Sequence, residues 1–503
     1  MKLYIFSITT IIVLVTLMTS CTRDFEEINT NPNGIRYVTP DQLLPSALIG
    51  TLSTNMARNR NFNNELMQVT VNPTDAEGAV FRYDFRSNWA DYLWNNLYTE
   101  LTNFKDMYRD STSNNNSSYK GISLICQAWI YSILTDTYGD IPFTESNKAK
   151  AAYGGIPEPK FDRQKDVYQG LFDMLEEANT LLTANAAINA GRDPVYKGNI
   201  GLWRKLGNSM YLRLLMRVSG KSEVSAQAIA KIKEIVETNT SKYPIITTDS
   251  ESAYLLWTGV TPYVNPYVTT REQDFRAPGI ASFFIDNLTS WDDPRINTAT
   301  YGRSGINRFA IAPFQGMFAG IPSGYAPGDN PEKKSYFYSN TSAYSLQTEP
   351  KAGIIMNCAE VKFILAEAAA KGWISGSAET HYNDGVSNAI KYWVPNWNVN
   401  VVDYLTEADM QWFDTQTLAE KMQKIHLHKY YALFLVDMQQ WFEYRRTGYP
   451  VLPKGPGLRN GGIMPARMTY PVYVQSTNPT NYSLAVGAQG PDVISTQVWW
   501  QKP

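Results

Sequence analysis

The distribution of helical periodicity along the chain restricts its fold more than any other feature. Apolar residues recur at helical spacing on both sides of residues 241–350, a stretch of about a hundred residues rich in Pro, Gly, Asn and Tyr that has little periodicity. Only the flanking blocks can bury a continuous apolar face as helices. The sequence therefore predicts a mostly α-helical protein that carries a large, irregular, loop-rich insertion.

The predicted helical scaffold covers residues 40–240 and 351–449. Gly121–Tyr138 is apolar on nearly all sides, which favours a buried helix. Ala359–Lys371 and Thr380–Trp393 are joined by a turn that contains glycine, and this pair resembles the helix pairs of tetratricopeptide repeats. Further helices are predicted over 88–104, 167–182, 202–218, 226–235, 279–288 and, as one long helix, 417–444.

Two long regions outside the scaffold lack helical patterns. The C-terminal region, 450–503, is predicted as loop with a short pair of strands at most. The insertion, 241–350, is longer than most loops in compact proteins, and loops of that length are usually functional or disordered. Its many Trp, Tyr and Phe residues argue against disorder. We therefore expect a structured insertion that faces a ligand.

The N-terminus has the pattern of a secretory signal. Lys2 precedes an apolar run that is too short to span a bilayer comfortably, and small residues lead from it to Cys21. This ending resembles a bacterial lipobox, in which the thiol is lipidated and the signal removed. The alternative is an ordinary signal peptide with an incidental cysteine. We expect a signal peptide over 1–20, a lipidated Cys21 with a tether over 21–39, and a single domain over 40–503.

The net charge, the cysteines and the apolar stretches of the chain argue against nucleic-acid binding, a disulfide framework and a second membrane segment, in that order. The formal net charge of −2 gives no electrostatic reason to expect nucleic acid as a partner. The chain has three cysteines, one of them Cys21, which do not make a disulfide framework. After Cys21 no apolar stretch is long enough for a second membrane segment.

The sequence contains no recognisable catalytic or metal-binding motif. The nucleophile elbow, the phosphate loop and the zinc-binding His-Glu-x-x-His pattern are all missing. Of the three histidines, His426 and His428 are two residues apart on a predicted helix and so point to different faces. We therefore expect no catalytic residue, no metal site and no cofactor.

A glycoside hydrolase would need only two suitably spaced carboxylates, which a sequence with many acidic residues cannot exclude. Asp292 and Asp293 are the obvious pair. Their position before Pro294 is also typical of turn chemistry, and an ion pair with Arg295 is another ordinary role.

Aromatic residues in the predicted loops are the best candidates for ligand contacts. A Tyr or Trp ring can cover the apolar face of a sugar, while neighbouring Asn or Arg side chains fix its orientation. The alternative is that each ring only packs the loops onto the scaffold. The residues predicted to contact a ligand are Phe81, Tyr83, Tyr263, Asn265, Tyr267, Arg271, Tyr301, Phe314 and Tyr325.

Several strings, in order along nearly the whole chain, resemble the SusD/RagB family. They are DFEEINTNPNG after Cys21, RKLGNSMYLRLLMRVSG at Arg204–Gly220, WDDPRI at Trp291–Ile296, AEVKFILAEAAAKGW at Ala359–Trp373, HYNDGVSNAIKYW at His381–Trp393, QWFEYRRTGYP at Gln440–Pro450 and RMTYP at Arg467–Pro471. No single string is specific to the family. Their shared order along the chain, behind a lipobox, is the evidence for the resemblance.

The resemblance implies a lipoprotein on the outer-membrane surface of Bacteroidota-type bacteria. Members of this family have tetratricopeptide-like helix pairs. They form a lid over a TonB-dependent barrel of the SusC type. They hold an oligosaccharide or a peptide for import, and we expect this protein not to be an enzyme. The loops that select the ligand differ from those of the starch-binding members, so the resemblance leaves glycan and peptide ligands both open.

Overall fold

A computed structural model describes residues 38–74, 78–110 and 115–502 of the chain. The predicted signal peptide, Cys21 and the tether up to residue 37 lie outside the described residues. Within the described part, no helix is both long and apolar enough to cross a membrane.

Helices dominate the described chain. Those of seven residues or more are α1 (Pro40–Arg58), α2 (Trp89–Arg109), α3 (Ser117–Tyr138), α4 (Gln164–Leu181), α5 (Ile200–Val218), α6 (Ser225–Lys233), α7 (Ser282–Ser290), α8 (Cys358–Ala370), α9 (Ala378–Trp393), α10 (Val401–Glu407), α11 (Leu418–Ala432), α12 (Gln439–Thr447) and α13 (Pro479–Gln489).

Polar side chains define where several of these helices begin. The side chain of Asn116 accepts hydrogen bonds from two backbone N–H groups at the start of α3, and Asn357 does the same for one at the start of α8. Thr417 and Glu420 form a reciprocal capping box on α11. These side chains satisfy backbone donors that have no partner within the helix.

Neighbouring helices pack side by side in sequence order. α1 packs on α2, α3 packs on α4, and α8 packs on α9, while α11 lies against both members of the last pair. Almost every residue of α3 is buried, as its apolar composition predicts. A continuous apolar core runs through these layers. The mostly α-helical fold with tetratricopeptide-like helix pairs is therefore confirmed.

The insertion contains short strands and turns around α7, its only helix of seven residues or more. β3 (Gly279–Ile280), β4 (Ile311–Ala312) and β5 (Tyr336–Phe337) join β1 (Thr70–Val71) in an antiparallel sheet with the order β1-β3-β5-β4. β2 (Ala253–Leu255) pairs with β6 (Gly353–Met356). The insertion is thus irregular but fixed to the scaffold by backbone hydrogen bonds.

The prediction of one long helix over 417–444 is wrong. α11 ends at Ala432 and α12 begins at Gln439, because Leu435 and Asp437 adopt positive φ angles of 66° and 30°. The buried Asp437 carboxylate accepts hydrogen bonds from the indole of Trp129 (3.2 Å) and the amide of Gln439 (3.0 Å). These tertiary contacts stabilise the break between α11 and α12, where the sequence has neither Gly nor Pro.

Two other boundaries also differ from the prediction. Gly279 and Ile280 pair as strand β3, so the helix predicted over 279–288 begins at Ser282 instead. The C-terminal region contains helix α13, and its described residues, 450–502, form no strand. Pro479 in the first turn of α13 suits a helix start, because a proline there removes no intrahelical hydrogen bond.

Candidate functional site

The structure buries five of the nine residues that were predicted to contact a ligand. Their side chains are at most 6% exposed, which leaves almost no surface for a ligand to touch. Four of them are tied to other segments by ring stacking or hydrogen bonds. The five residues are Phe81, Tyr83, Asn265, Tyr267 and Tyr325.

Asn265 and Tyr267 fasten the insertion internally and to α1. The Asn265 amide donates to the carbonyl oxygens of Leu346 (3.0 Å) and Glu349 (3.2 Å). The Tyr267 hydroxyl donates to the carbonyl of Met56 at 3.0 Å. These hydrogen bonds support the alternative interpretation for both residues, in which they pack the irregular segment onto the scaffold.

The other four predicted residues keep exposed surface but are not brought together in one cavity. Tyr263, Tyr301 and Phe314 are half-buried. Arg271 is exposed and forms an ion pair with Asp274 at 2.7 Å, beside an open, charged basin of about 560 Å³. Their role as ligand contacts stays a prediction.

Exposed aromatic rings are rare on this protein. Among the described residues, only Tyr92, Phe413 and Tyr473 are more than a third exposed, at 38%, 49% and 42%. Single exposed apolar side chains are common on protein surfaces, whereas exposed rings that lie close together can mark a binding surface. None of the three lies in the insertion.

Arg58, whose guanidinium lies over the Tyr92 ring, lines an open cleft where α1 ends and α2 begins. The cleft has a volume of about 420 Å³. It is lined by the half-buried ring of Trp89, the cationic side chains of Arg58 and Arg86, the amide of Asn88, and Gly78. We call it the Trp89 cleft.

The packing of α1 on α2 creates the Trp89 cleft. Arg58 is the last residue of α1, and its guanidinium carbon lies 4.7 Å from the ring centroid of Trp89 and 4.4 Å from that of Tyr92. Phe62 supports Trp89 with 5.7 Å between ring centroids. Burial lowers the pKa of Arg58, but an arginine remains charged at neutral pH. The two rings are therefore held in place by a cation and by a buried ring.

This set of side chains is suited to binding a polar ring with an apolar face. Trp89 offers aromatic surface, and Arg58, Arg86 and Asn88 offer hydrogen-bond donors beside it. Among the residues that the structure describes, the lining contains no carboxylate.

The sequence prediction came close to this cleft but missed it. The predicted contact region stopped at the turn around Phe81 and Tyr83, and Trp89 was assigned to the apolar stripe of the next helix. The signal was the adjacent string Arg86-Ser-Asn-Trp-Ala-Asp-Tyr92, in which aromatic, amide and charged residues alternate just where a helix begins. Residues at a helix start can be half-exposed even when they fit the stripe.

Asp292 and Asp293, the carboxylates considered for hydrolysis, do not form a pair that a polysaccharide can reach, because Asp293 is buried. Asp293 is fully buried, and its carboxylate accepts from the Arg295 guanidinium at 2.6 Å and from the Tyr404 hydroxyl at 2.9 Å. Burial alone would raise the pKa of Asp293, but the nearby positive charge of Arg295 outweighs that effect and lowers it. Asp293 is therefore a structural anion.

Glu367, His426 and Glu443 lie close enough together to suggest a metal site. Cations already occupy their surroundings, because Arg446 Nη2 lies 2.6 Å from Glu367 and 2.8 Å from Glu443, and Lys429 Nζ lies 2.7 Å from Glu443. The cluster is therefore a buried ion network of the scaffold.

Comparisons with known proteins agree with the fold. A family model described as starch-binding and associating with the outer membrane matches residues 32–471. The crystal structure of a SusD homologue from Bacteroides uniformis is 24% identical, covers 92% of this chain and 99% of its own, and has a TM-score of 0.74.

Two further structures are similar over the same extent. A SusD homologue from Bacteroides fragilis is 24% identical over 93% of this chain and 100% of its own, with a TM-score of 0.75. A chitin-binding SusD homologue from Flavobacterium johnsoniae is 20% identical over 91% and 98%, with a TM-score of 0.76. No curated protein matches the chain by sequence. Because the family model spans most of its length, the chain belongs to the SusD-like family of starch-binding, outer-membrane-associating proteins.

Proposed function

We propose that this protein is a lipid-anchored surface protein that captures an oligosaccharide or polysaccharide and passes it to a TonB-dependent barrel of the SusC type. The observation that carries the proposal is the Trp89 cleft, where aromatic surface lies beside Arg58, Arg86 and Asn88. Sugars present both an apolar C–H face and hydroxyl groups, and this cleft offers a partner for each.

The relatives suggest which glycans to test first. The family is described as starch-binding, and one similar structure comes from a chitin-binding protein. Those descriptions apply to the relatives, whose identity to this chain is low. Chitin and starch therefore head the panel, without either being assigned to this protein.

Two alternatives make different predictions. A surface glycoside hydrolase would cleave what it binds, but the described lining of the Trp89 cleft has no carboxylate to act as acid or nucleophile. A peptide-capturing member of the same family would use the same aromatic and cationic groups on a peptide, and would ignore polysaccharides.

The test is affinity electrophoresis of the detergent-solubilised mature protein in native gels that contain chitin derivatives, starch, or other plant, fungal and host polysaccharides. The same mixtures are assayed for new reducing ends. We expect retardation by at least one polysaccharide without new reducing ends. Retardation with turnover would establish an enzyme, and no retardation in any gel would favour a peptide ligand over a glycan.

Variants locate the binding surface in the same gels. Trp89→Ala should abolish most of the retardation, because it removes the ring on which a sugar would stack. Phe413→Ala is the matched control, since Phe413 is an exposed ring that does not line the cleft. Equal retardation of the two variants would place the ligand elsewhere.

Delivery to a barrel has its own test. The proposal predicts that mild detergent extraction recovers this protein in a complex with an outer-membrane barrel. A protein that is always extracted alone would count against the lid arrangement while leaving glycan capture intact.

A further inference from the structure

The exposed ring of Tyr473 contacts α2, the helix that carries Trp89. Its hydroxyl donates a hydrogen bond to the side-chain oxygen of Asn95 at 2.5 Å. Asn95 lies three residues after Tyr92 on α2, and residues at that spacing are neighbours on one helix face. Two of the three exposed rings of the described chain, Tyr92 and Tyr473, therefore flank the same asparagine.

Beyond Tyr473 lies a second open pocket, of about 250 Å³. Aromatic and proline side chains make up most of its wall, and none of the described residues that line it is charged. We call it the Tyr98 pocket. Its lining residues are Trp94, Tyr98, Pro142, Ser146, Asn147, Pro157, Pro159, Phe161, Tyr473, Val474, Thr477 and Asn478.

The walls of the Tyr98 pocket are held firmly. Trp94 stacks on Phe161 with 6.0 Å between centroids and an angle of 29°. The Tyr98 hydroxyl donates to the carbonyl of Pro142 at 2.7 Å, and the Asn147 amide donates to the carbonyl of Tyr98 at 2.8 Å. A pocket with preformed walls loses little conformational entropy when a ligand enters.

Helix geometry sets a lower limit on the separation of the two cavities. Trp89 and Tyr98 lie nine residues apart on α2, which corresponds to about 14 Å along the axis at 1.5 Å per residue. Nine residues are also about two and a half turns at about 3.6 residues per turn, so the two side chains leave opposite sides of α2, and a ligand that reaches both must cross the exposed face of the helix. A single sugar ring does not cover that distance, whereas a chain of several units does. Tyr92, Asn95 and Tyr473 form the surface between the two ends.

We propose that the Tyr98 pocket is a second subsite for the same glycan chain, which crosses the exposed face of α2 from the Trp89 cleft past Tyr473. The inference rests on the proposed glycan-binding function. The charged end, with Arg58 and Arg86, takes hydroxyl-rich or polar units. The uncharged aromatic end takes the apolar face of a unit or an apolar substituent on it. The ligand is therefore an oligosaccharide of several units, bound in one direction.

The test measures affinity against chain length. Disaccharides and hexasaccharides of the malto-, cello-, xylo- and N-acetylglucosamine series are titrated into the detergent-solubilised mature protein, and into its Tyr473→Ala, Tyr473→Phe and Phe413→Ala variants. In the series that binds, we expect the hexasaccharide to bind at least tenfold more tightly than the disaccharide. Tyr473→Ala should remove most of that advantage and leave the disaccharide affinity within twofold.

The other variants separate the ring from its hydrogen bond. Tyr473→Phe keeps the ring and should retain more of the length dependence than Tyr473→Ala, and Phe413→Ala should behave as wild type. Tyr473 and Phe413 are both exposed, so none of the three substitutions disturbs the core.

Three results would overturn the inference. One is equal affinity for disaccharide and hexasaccharide, and another is an unchanged length dependence in Tyr473→Ala. The third is failure of every hexasaccharide to bind while a parent polysaccharide still retards the protein in the gels. Failure of both the polysaccharides and the oligosaccharides would instead overturn the proposed function itself.

Discussion

The ring of Phe81 stacks on the ring of Tyr325, with 5.0 Å between centroids and 26° between the planes. The guanidinium of Arg82 lies over both rings, at 5.0 and 4.6 Å, and donates to the Tyr325 carbonyl at 3.0 Å. Both rings are buried. The turn that precedes the Trp89 cleft is therefore fastened to the insertion by residues far apart in the sequence.

Tyr325 should matter for stability rather than for ligand binding. Tyr325→Ala empties a buried ring site and should lower the free energy of unfolding by about 3–5 kcal/mol. Tyr325→Phe keeps the stack and loses the hydroxyl's hydrogen bond to Asn72 at 2.8 Å, which should cost about 1 kcal/mol. Denaturant unfolding measures both changes. A Tyr325→Phe variant of normal stability that loses glycan affinity would show that the hydroxyl contacts the ligand.

The buried anion Asp293 provides a second test of structure against catalysis. Asp293→Asn leaves Arg295 buried without its charge partner, and should lower the free energy of unfolding by about 3–5 kcal/mol. The control is Asp292→Asn, because Asp292 is exposed, has a positive φ of 45° that asparagine tolerates, and should change stability by less than about 0.5 kcal/mol. Equal stability of the two variants would contradict the burial of the ion pair.

His428 should make the protein less stable in mild acid. Burial lowers the pKa of His428 to about 3, whereas an unfolded histidine titrates near 6.5. The folded state therefore remains unprotonated while the unfolded state binds a proton, and the free energy of unfolding falls as the pH drops from about 6.5. Each pH unit below that value costs about 1.4 kcal/mol for this one group.

The pKa values of Glu65 and Asp249 are raised to about 7 and about 6, so protonation of these two carboxyls stabilises the folded state as the pH falls. The effect of His428 is therefore measured as the difference between the wild type and a variant without this histidine. His428→Phe keeps a ring against Trp291, on which His428 stacks with 4.7 Å between centroids. Between pH 6.5 and 4.5 the wild type should lose about 2 kcal/mol more than the variant. Parallel pH profiles from denaturant unfolding would show that His428 does not resist protonation.

Cys21→Ser should release the protein from the membrane fraction. Each buried methylene of an acyl chain contributes about 0.8 kcal/mol to membrane binding, so loss of a multiply acylated anchor leaves little to retain the protein. Cell fractionation and labelling with a fatty-acid analogue measure the outcome. A Cys21→Ser protein that stays in the membrane fraction and carries no label would be held there by something other than this lipid.

The insertion residues offer a direct comparison with the Trp89 cleft. Replacing both Tyr263 and Phe314 with Ala should reduce glycan affinity without unfolding the protein if these half-buried rings reach the ligand. Titration and thermal unfolding of the double variant are compared with those of Trp89→Ala. Unchanged affinity in the double variant would remove both residues from the site and leave the cleft and α2 as the binding surface.

The sequence by itself determined the scaffold and the family. Period-3.6 patterns predict helices such as α4 and α9 without tertiary information, because each of these helices must bury its own apolar stripe. The strings spread along the chain were enough for the family resemblance, since the helices they encode keep their order. The long irregular insertion was also predictable, from the absence of any such pattern over 241–350.

Only the tertiary structure decided which aromatic residues are available to a ligand. Tyr325 and Trp89 look alike in sequence, as rings near polar neighbours, yet one is buried by Phe81 and the other is left half-exposed where α1 meets α2. The break at Asp437 likewise depends on Trp129, which belongs to another helix. Exposure and such breaks are set by partners far away in the chain, and local periodicity carries no information about those partners.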